Sequence, residues 1–452
     1  MQVTIIGGGS YQWTPELMAD LFGTESLRGM HLVLEDIDPA PLPKMEALAN
    51  KLSAAMDAKA TVATTTDQRR ALDGADFVIV TISTGGFESM AYDLDVPARY
   101  GIRQSVGDTV GPGGINRALR NIPVMAGIAR DVESVCPDAW FLNITNPMTV
   151  LTRTVTEVSK CKVVGLCHEV GNWCWDVALM LGLPHEAVRP TVSGVNHLPI
   201  VPSVDIDGKD GIPILRDLID EVGGLEALAP VPGQEEAPQF SKLDFARRHR
   251  LQLTLLDQWG AIPVANDRHV AEFVPWILTE ESGWGADYGI ELTSIERRQG
   301  HQDGYIADVD AWLAGTKDLQ TWPSGELPAP IIDSLLTGTH REVPVNIPNA
   351  GQCPDVPLGA MVESICVVDA EGVRGRDQAT LPAPFAELFR HHVATQEMVV
   401  RAALDGDRSL ARSAFLLDPL AGRGPLRSTE EMVDELMVAT ARWLPQFEPI
   451  AV

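Results

Sequence analysis

Apolar residues along the first 190 positions fall into short runs separated by stretches with helical spacing. Val3-Thr4-Ile5-Ile6 is one such run, followed by Gly7-Gly8-Gly9-Ser10 and then by apolar residues at helical intervals from Pro15 to Phe22. His31-Leu32-Val33-Leu34 ends in Glu35-Asp36, and Ala139 to Ile144 leads into Thr145-Asn146-Pro147. Phe77 to Ile82 is almost wholly apolar, as in a central parallel strand covered on both faces, and it ends in Ser83-Thr84-Gly85-Gly86. Lys162 to Leu166 leads into Cys167-His168-Glu169-Val170. This alternation predicts an α/β fold that opens with a Rossmann-type, doubly wound parallel sheet over residues 1–190.

The remaining pattern predicts an α+β domain over residues 191–452. Thr191 to Val195 reads as a strand leading to Asn196-His197, and Val201 to Ile206 with Asp207-Gly208 as half of a hairpin. Helical spacing runs from Phe245 to Trp259 and from Phe385 to Leu404. Val345 to Gln352 reads as a polar loop before a strand from Met361 to Val368. Ser428-Thr429-Glu430-Glu431 has the form of a capping box opening a last helix through about Trp443. Residues 223–239, rich in Ala, Pro and Glu, read as an exposed insertion.

Several polar residues stand where such a fold collects ligands, just beyond strand ends. The turn Gly7-Gly8-Gly9-Ser10 lets a backbone approach a pyrophosphate on a helix N-terminus. The third glycine of the usual dinucleotide fingerprint would fall at Gln12, and glycine turns are also made for structural reasons alone. Asp36 is placed for the ribose hydroxyls, with Glu35 and Asp38 as rivals, and a carboxylate there favours NAD over NADP. Ser83 opens a flexible loop where the nicotinamide half would pass. Residues 104–114 carry four glycines, a proline and Asp108, which suggests a shaped loop before a helix from about Ile115. Asp267-Arg268-His269 is a candidate acid/base and anion-recognition cluster. The plainer alternatives are a helix-capping aspartate and an arginine that neutralises Asp267 or Glu272. Cys167 and His197, taken singly, read as a small buried thiol and a core histidine.

Composition narrows the field. The net charge is 35 − 62 = −27, which disfavours nucleic-acid and anionic-membrane partners and requires local positive charge for any anionic substrate. With 45% hydrophobic and 21% charged residues, the chain is expected to bury a large core. Met1 to Ile6 has no basic lead, so no signal peptide is expected, and no apolar run reaches the roughly 18 residues that span a bilayer. Six cysteines without a C-x-x-C pair suggest free thiols in a cytoplasmic protein.

Taken in order, Gly7-Gly8-Gly9-Ser10, Val106-Gly107-Asp108-Thr109-Val110-Gly111-Pro112-Gly113-Gly114, Thr145-Asn146-Pro147-Met148, Cys167-His168-Glu169-Val170, Gly194-Val195-Asn196-His197 and Asp267-Arg268-His269 form an ordered set. In this set the chain resembles family 4 of the glycoside hydrolases, the NAD- and manganese-dependent glycosidases, over essentially its whole length. The resemblance implies Cys167 and His197 as ligands of Mn2+ or another divalent metal, and Asn146 and His168 as contacts to sugar hydroxyls. It implies Gly7, Gly9, Ser10, Asp36 and Ser83 at the NAD site. A redox elimination and addition is implied, with Asp108 as acid and Asp267 as base, in place of the usual pair of carboxylates. The Cys-His-Glu-Val tetrad is most similar to the subgroup acting on α-linked uronic acids, α-galacturonides in particular, with Arg268 on the uronate carboxylate. A homodimer or homotetramer is implied as well. The rival expectations are an α-glucuronide, α-glucoside or α-galactoside substrate, or a simple NAD-dependent 2-hydroxyacid dehydrogenase.

Overall fold

The computed structural model describes residues 1–230, 237–376 and 380–447. Thirteen strands, numbered in chain order, build its sheet. They are β1 (Gln2–Ile6), β2 (His31–Glu35), β3 (Thr61–Thr65), β4 (Phe77–Val80), β5 (Trp140–Asn143), β6 (Lys162–Gly165), β7 (Val188–Val195), β8 (Leu198–Ile206), β9 (Lys209–Asp210), β10 (Ile262–Pro263), β11 (Arg341–Pro348), β12 (Met361–Asp369) and β13 (Gly372–Gly375). The main path runs β10-β8-β7-β12-β11-β6-β5-β4-β1-β2-β3, with β13 on β12 and β9 on β8.

From β3 to β6 every pairing is parallel, in the order 3-2-1-4-5-6 that the alternation of strand and helix predicts. Side chains of each strand alternate between two cores. Ile5, Ile79, Leu142 and Val164 face one with Leu17 and Leu34. Ile6, Val78, Phe141 and Val163 face the other with Leu119 and Ile122 of the helix Gly111–Val135. Both faces are covered, which is why these runs carry almost no polar residue.

Antiparallel strands extend the same sheet. β11 joins β6 at Asn346 opposite Gly165, and pairs along its whole length with β12. β12 meets β7, and β7 folds back on β8. The predicted polar loop at Val345 to Gln352 is therefore a strand up to Pro348. Val345 and Ile347 are buried and Asn346 is fully buried between β6 and β12. The loop proper follows, built around Asn349, whose amide donates to the carbonyls of Cys353, Val356 and Pro357.

Three helical expectations shift. The helix predicted from Ile115 starts at Gly111, so its glycines lie inside the first turn. A Cβ on Gly114 would stand 2.3 Å from the Thr109 carbonyl carbon, so the missing side chains let the loop pack on the helix. The helix predicted over Phe245 to Trp259 is two, Lys242–Arg248 and Arg250–Trp259, broken at His249. The last helix starts at Leu426, not at a Ser428 cap. Residues 231–236 of the predicted insertion lie outside the described residues, while its Leu225–Leu228 turn buries Leu228. No helix among the described residues is long and apolar enough to cross a membrane.

Candidate active site

The C-terminal ends of β1, β4, β5 and β6 deliver Gly7, Ser83, Asn146 and Cys167 to one edge of the sheet. At β1 the turn is built around glycine. Gly7 has φ +88°, and a Cβ there would meet the Thr81 carbonyl oxygen at 1.9 Å. A Cβ on Gly9 would fall 2.5 Å from Pro41 and 2.7 Å from the Asp36 carboxylate. Asp36, one residue beyond β2, accepts the Gly9 N–H at 3.0 Å through its carboxylate, whereas Glu35 meets the turn only with its backbone carbonyl, which accepts from Gly7 and Gly8. Ser10 Oγ accepts the N–H of Trp13 and opens the helix Trp13–Gly23. Ser83 lies exposed in the loop after β4. That loop is anchored from the helix Gly111–Val135, where Asn121 accepts the Thr84 N–H and Arg120 donates to the Thr84 carbonyl.

The loop before that helix carries Asp108, and buried groups hold it in place. Glu272 accepts the N–H groups of Val106 at 2.7 Å and Gly107 at 2.9 Å. Gln104 accepts the Gly113 N–H at 2.8 Å and donates to the Asp93 carbonyl. Asp108 and Thr109 are thereby presented to His197. Thr109 Oγ1 lies 2.7 Å from both Asp108 Oδ1 and His197 Nδ1. His197 and Asn196 form the two-residue turn joining β7 to β8. His197 sits at φ +67°, a left-handed conformation that costs a residue other than glycine about 1 kcal/mol and that its ring contacts must offset.

The His269 ring lies against His197, with centroids 3.7 Å apart. Asp108, His197 and His269 each offer a donor atom within 4.8 Å of the others. His269 Nδ1 is buried and makes no hydrogen bond. Burial pushes the His197 imidazole towards its neutral, lone-pair-bearing form, and the charge of His269 acts in the same direction. Burial opposes ionisation of Asp108, but His197, His269 and Arg117 outweigh it and hold that carboxyl at about 2. Arg117 adds a permanent positive charge to that group. An ionised Asp108 is suited to binding a cation or accepting a proton.

Cys167 is linked to this group through Asn196, the neighbour of His197 in the chain. Burial, then the carboxylates of Glu363 and Glu169, push its thiol well above the ordinary range, with Asn196 and the Glu169 backbone bonding to it in opposition. Glu363, on β12, accepts from the amides of Asn196 at 3.2 Å and Asn346 at 3.3 Å, and its other oxygen has no partner. Burial raises its carboxyl to about 7. An acid inside the largely apolar run Met361 to Val368 was the sequence signal that could have found it. His168 Nδ1 pairs with Glu326 at 2.6 Å. Glu169 turns to the Asn266 N–H at 2.7 Å and so fixes the segment that carries His269. Asn146 keeps a buried, unpartnered Oδ1, while its carbonyl accepts from Arg117 Nε at 3.0 Å.

The segment Asp267-Arg268-His269 divides. His269 joins the donor group, but Asp267 accepts the N–H groups of Leu251 at 2.7 Å and Gln252 at 3.2 Å. It therefore caps the helix Arg250–Trp259, which explains the break at His249. Burial raises its carboxyl to about 6. The base role implied for Asp267 finds no contact to support it. Arg268 pairs with neither Asp267 nor Glu272. Its guanidinium donates to the carbonyls of Glu291 and Ser105 and to Thr293 Oγ1, tying three segments together. That structural use takes the place of the predicted contact to substrate.

The donor set of one carboxylate and two imidazoles, with an orphaned imidazole nitrogen, suits a divalent transition metal, whereas the Cys167 thiol expected beside His197 stands outside that set and bonds to Asn196. The glycine turn, which leaves no room for a Cβ beside Asp36, suits a dinucleotide.

Comparison with known proteins agrees with this geometry. Residues 2–183 match the family model for family 4 glycosyl hydrolases, and residues 192–421 that for their C-terminal domain. The chain is 34% identical to an α-galacturonidase of Bacillus subtilis over 93% of each chain. It is 30% identical to an α-galactosidase of the same organism over 99% of this chain and 100% of the relative. A 6-phospho-α-glucosidase from gut microorganisms, solved in complex with NAD and Mn2+, shares the fold with a TM-score of 0.83 at 20% identity, over 99% of both chains. Motif order, site and family models together make this chain a member of family 4 of the glycosyl hydrolases.

Proposed function

We infer that the protein hydrolyses α-linked glycosides of a uronic acid, α-galacturonides foremost, using NAD and a divalent metal, Mn2+ in the first instance. The observation that carries this reading is the convergence at one sheet edge of the glycine turn with Asp36, the group Asp108, His197 and His269, and the unpartnered Asn146 Oδ1. NAD would lie from Gly7, Gly9 and Asp36 towards Ser83, and the metal at His197, with Cys167, Asp108 and His269 as the remaining donors. When bound, NAD supplies a hydride acceptor and donor for carbon 3 of the sugar, and the metal a Lewis acid for its hydroxyls.

The chain's own groups do the rest. Asn146 Oδ1 accepts a hydrogen bond from a sugar hydroxyl and orients the ring. Asp108, ionised beside Arg117, is the proton acceptor within reach. Glu272 and Gln104 hold the Asp108 loop so that it does not reorganise during the reaction. The uronic acid choice is supported by the α-galacturonidase relative and by the tetrad Cys167 to Val170. A neutral α-galactoside is the second reading, favoured by the α-galactosidase relative that spans the whole chain.

The test is hydrolysis of aryl α-galacturonide, α-galactoside and α-glucoside, with NAD and Mn2+ supplied or withheld. Release from the galacturonide that needs both, without net formation of NADH and with deuterium from D2O entering carbon 2, is expected. No release from the galacturonide ends the uronide reading. Release without NAD ends the redox mechanism.

A further inference from the structure

A protein of net charge −27 that binds an anionic sugar must place unneutralised cations at its cleft. Arg268 is committed to two carbonyls and a hydroxyl, but the strap it makes leads to another arginine. Thr293 Oγ1 also donates to the Ser105 carbonyl at 2.8 Å, so residues 291–293 are fixed to the loop that presents Asp108. Immediately afterwards Ser294 caps the helix Ile295–Ala314, accepting the Arg297 N–H at 3.2 Å. The first turns of that helix are thus held beside the site, and they carry Arg297 and Arg298.

The two arginines differ. Arg297 pairs with Glu291. Arg298 is half-buried, and its side chain makes no hydrogen bond or ion pair among the described residues. An arginine near a helix N-terminus is disfavoured by the helix dipole, so nothing local rewards it there. Its charge is felt by Arg117, the guanidinium that sits between Asn146 and Asp108, and by Arg268. It is also felt by Tyr305, seven residues along the same helix face, which in turn feels Glu16 in the first turn after the glycine loop. The strap from Ser105 through Thr293 to the Ser294 cap therefore sets Arg298, in the first turns of the helix, beside the loop that presents Asp108.

We propose that Arg298 is the specificity-determining residue of this site, binding the carboxylate at carbon 6 of the substrate sugar, with Arg117 as the second positive charge behind it. The inference rests on the uronide reading given above. A guanidinium held free of carboxylates in a partly desolvated cleft can form a charge-assisted, bidentate contact to a planar carboxylate, and has no comparable partner in the hydroxymethyl group of a neutral sugar. Discrimination would come from the carboxylate being present, not from extra apolar contact.

The experiment uses the enzyme loaded with NAD and Mn2+, its Arg298→Gln and Arg298→Lys variants, and a matched pair of aryl α-galacturonide and aryl α-galactoside. For Arg298→Gln, kcat/KM on the galacturonide should fall ~30-fold, the loss of a charge-assisted contact, with Arg298→Lys recovering part of it. The galactoside value and the NAD dissociation constant, read by fluorescence, should stay within about threefold, a change too small for a lost charge-assisted contact. Equal losses on the two glycosides would mark Arg298 as structural and overturn the proposal. A selective loss of NAD affinity would assign it to the dinucleotide phosphates and overturn it too. Wild-type enzyme that cleaves the galactoside but not the galacturonide would defeat both the uronide reading and this inference. Galacturonide cleavage by the wild type with an unselective Arg298→Gln defect would defeat the inference alone.

Discussion

At the parallel edge of the sheet, a polar residue reaches the cleft by following a buried strand by a few positions. Gly7 follows β1, Asp36 follows β2, Asn146 and Cys167 follow β5 and β6, and each lies at the same edge. On the antiparallel side, adjacency in the chain carries no such guarantee. Asp267, Arg268 and His269 are consecutive, yet one caps a helix, one straps loops together and only one meets His197. Strand direction accounts for the difference. Parallel strands all end at one edge, so sequence position after a strand is a spatial coordinate. In a single helical turn such as Asp267–Val270, successive side chains point about 100° apart, and each finds its own surroundings.

The sharpest way to break this comparison is to substitute His269 and Asp267 in turn. His269→Ala should lower kcat/KM on the glycoside by about 10³-fold and reduce bound metal, because the Lewis acid is worth several kcal/mol at the transition state. Metal analysis beside the assay checks it, and full activity would return His269 to the ranks of packing residues. At the other edge, Gly9→Ala forces a Cβ within 2.7 Å of Asp36 and should weaken NAD binding by about 10-fold or more while leaving metal content unchanged. Fluorescence titration with NAD would read that loss.

Asp267→Ala should act on stability instead. Loss of the cap on Arg250–Trp259 costs about 1–2 kcal/mol, seen as a lower Tm, while the folded variant keeps its NAD and metal content. Abolished turnover at unchanged Tm would restore Asp267 to the chemistry. The smallest effect is expected at His168. Its hydrogen bond to Glu326 raises the imidazole to about 9 from 6.5, against its burial. The protonated pair thus contributes stability that is fully present below about 6.5 and is lost as pH rises through about 9. Glu326→Gln should move the His168 titration, followed by NMR, back towards 6.5 and flatten stability across that window.

Much of the site was legible because it hangs on local rules. The glycine turn, the acid after β2 and the order of the parallel strands follow from apolar runs and turn residues. The helix Ile295–Ala314 was not legible, since it carries only two buried residues, Val309 and Trp312, and so no apolar stripe to read. Arg298 was missed with it. Glu363 was missed inside the strand Met361 to Val368, because its meaning depends on Asn346 of β11 and on Asn196 in the turn between β7 and β8.

The sequence by itself determined the doubly wound sheet, the edge at which ligands gather and the family motifs, because hydrophobic period and turn chemistry act over a few residues. The tertiary structure decided which charged groups are free to act. Asp108 is presented because Glu272, 164 residues later in the chain, holds its loop, and Arg268 is occupied because Ser105 and Thr293 take its N–H groups. Charge and hydrogen-bond capacity are settled by whichever partners folding brings within about 3 Å, and no local pattern encodes that.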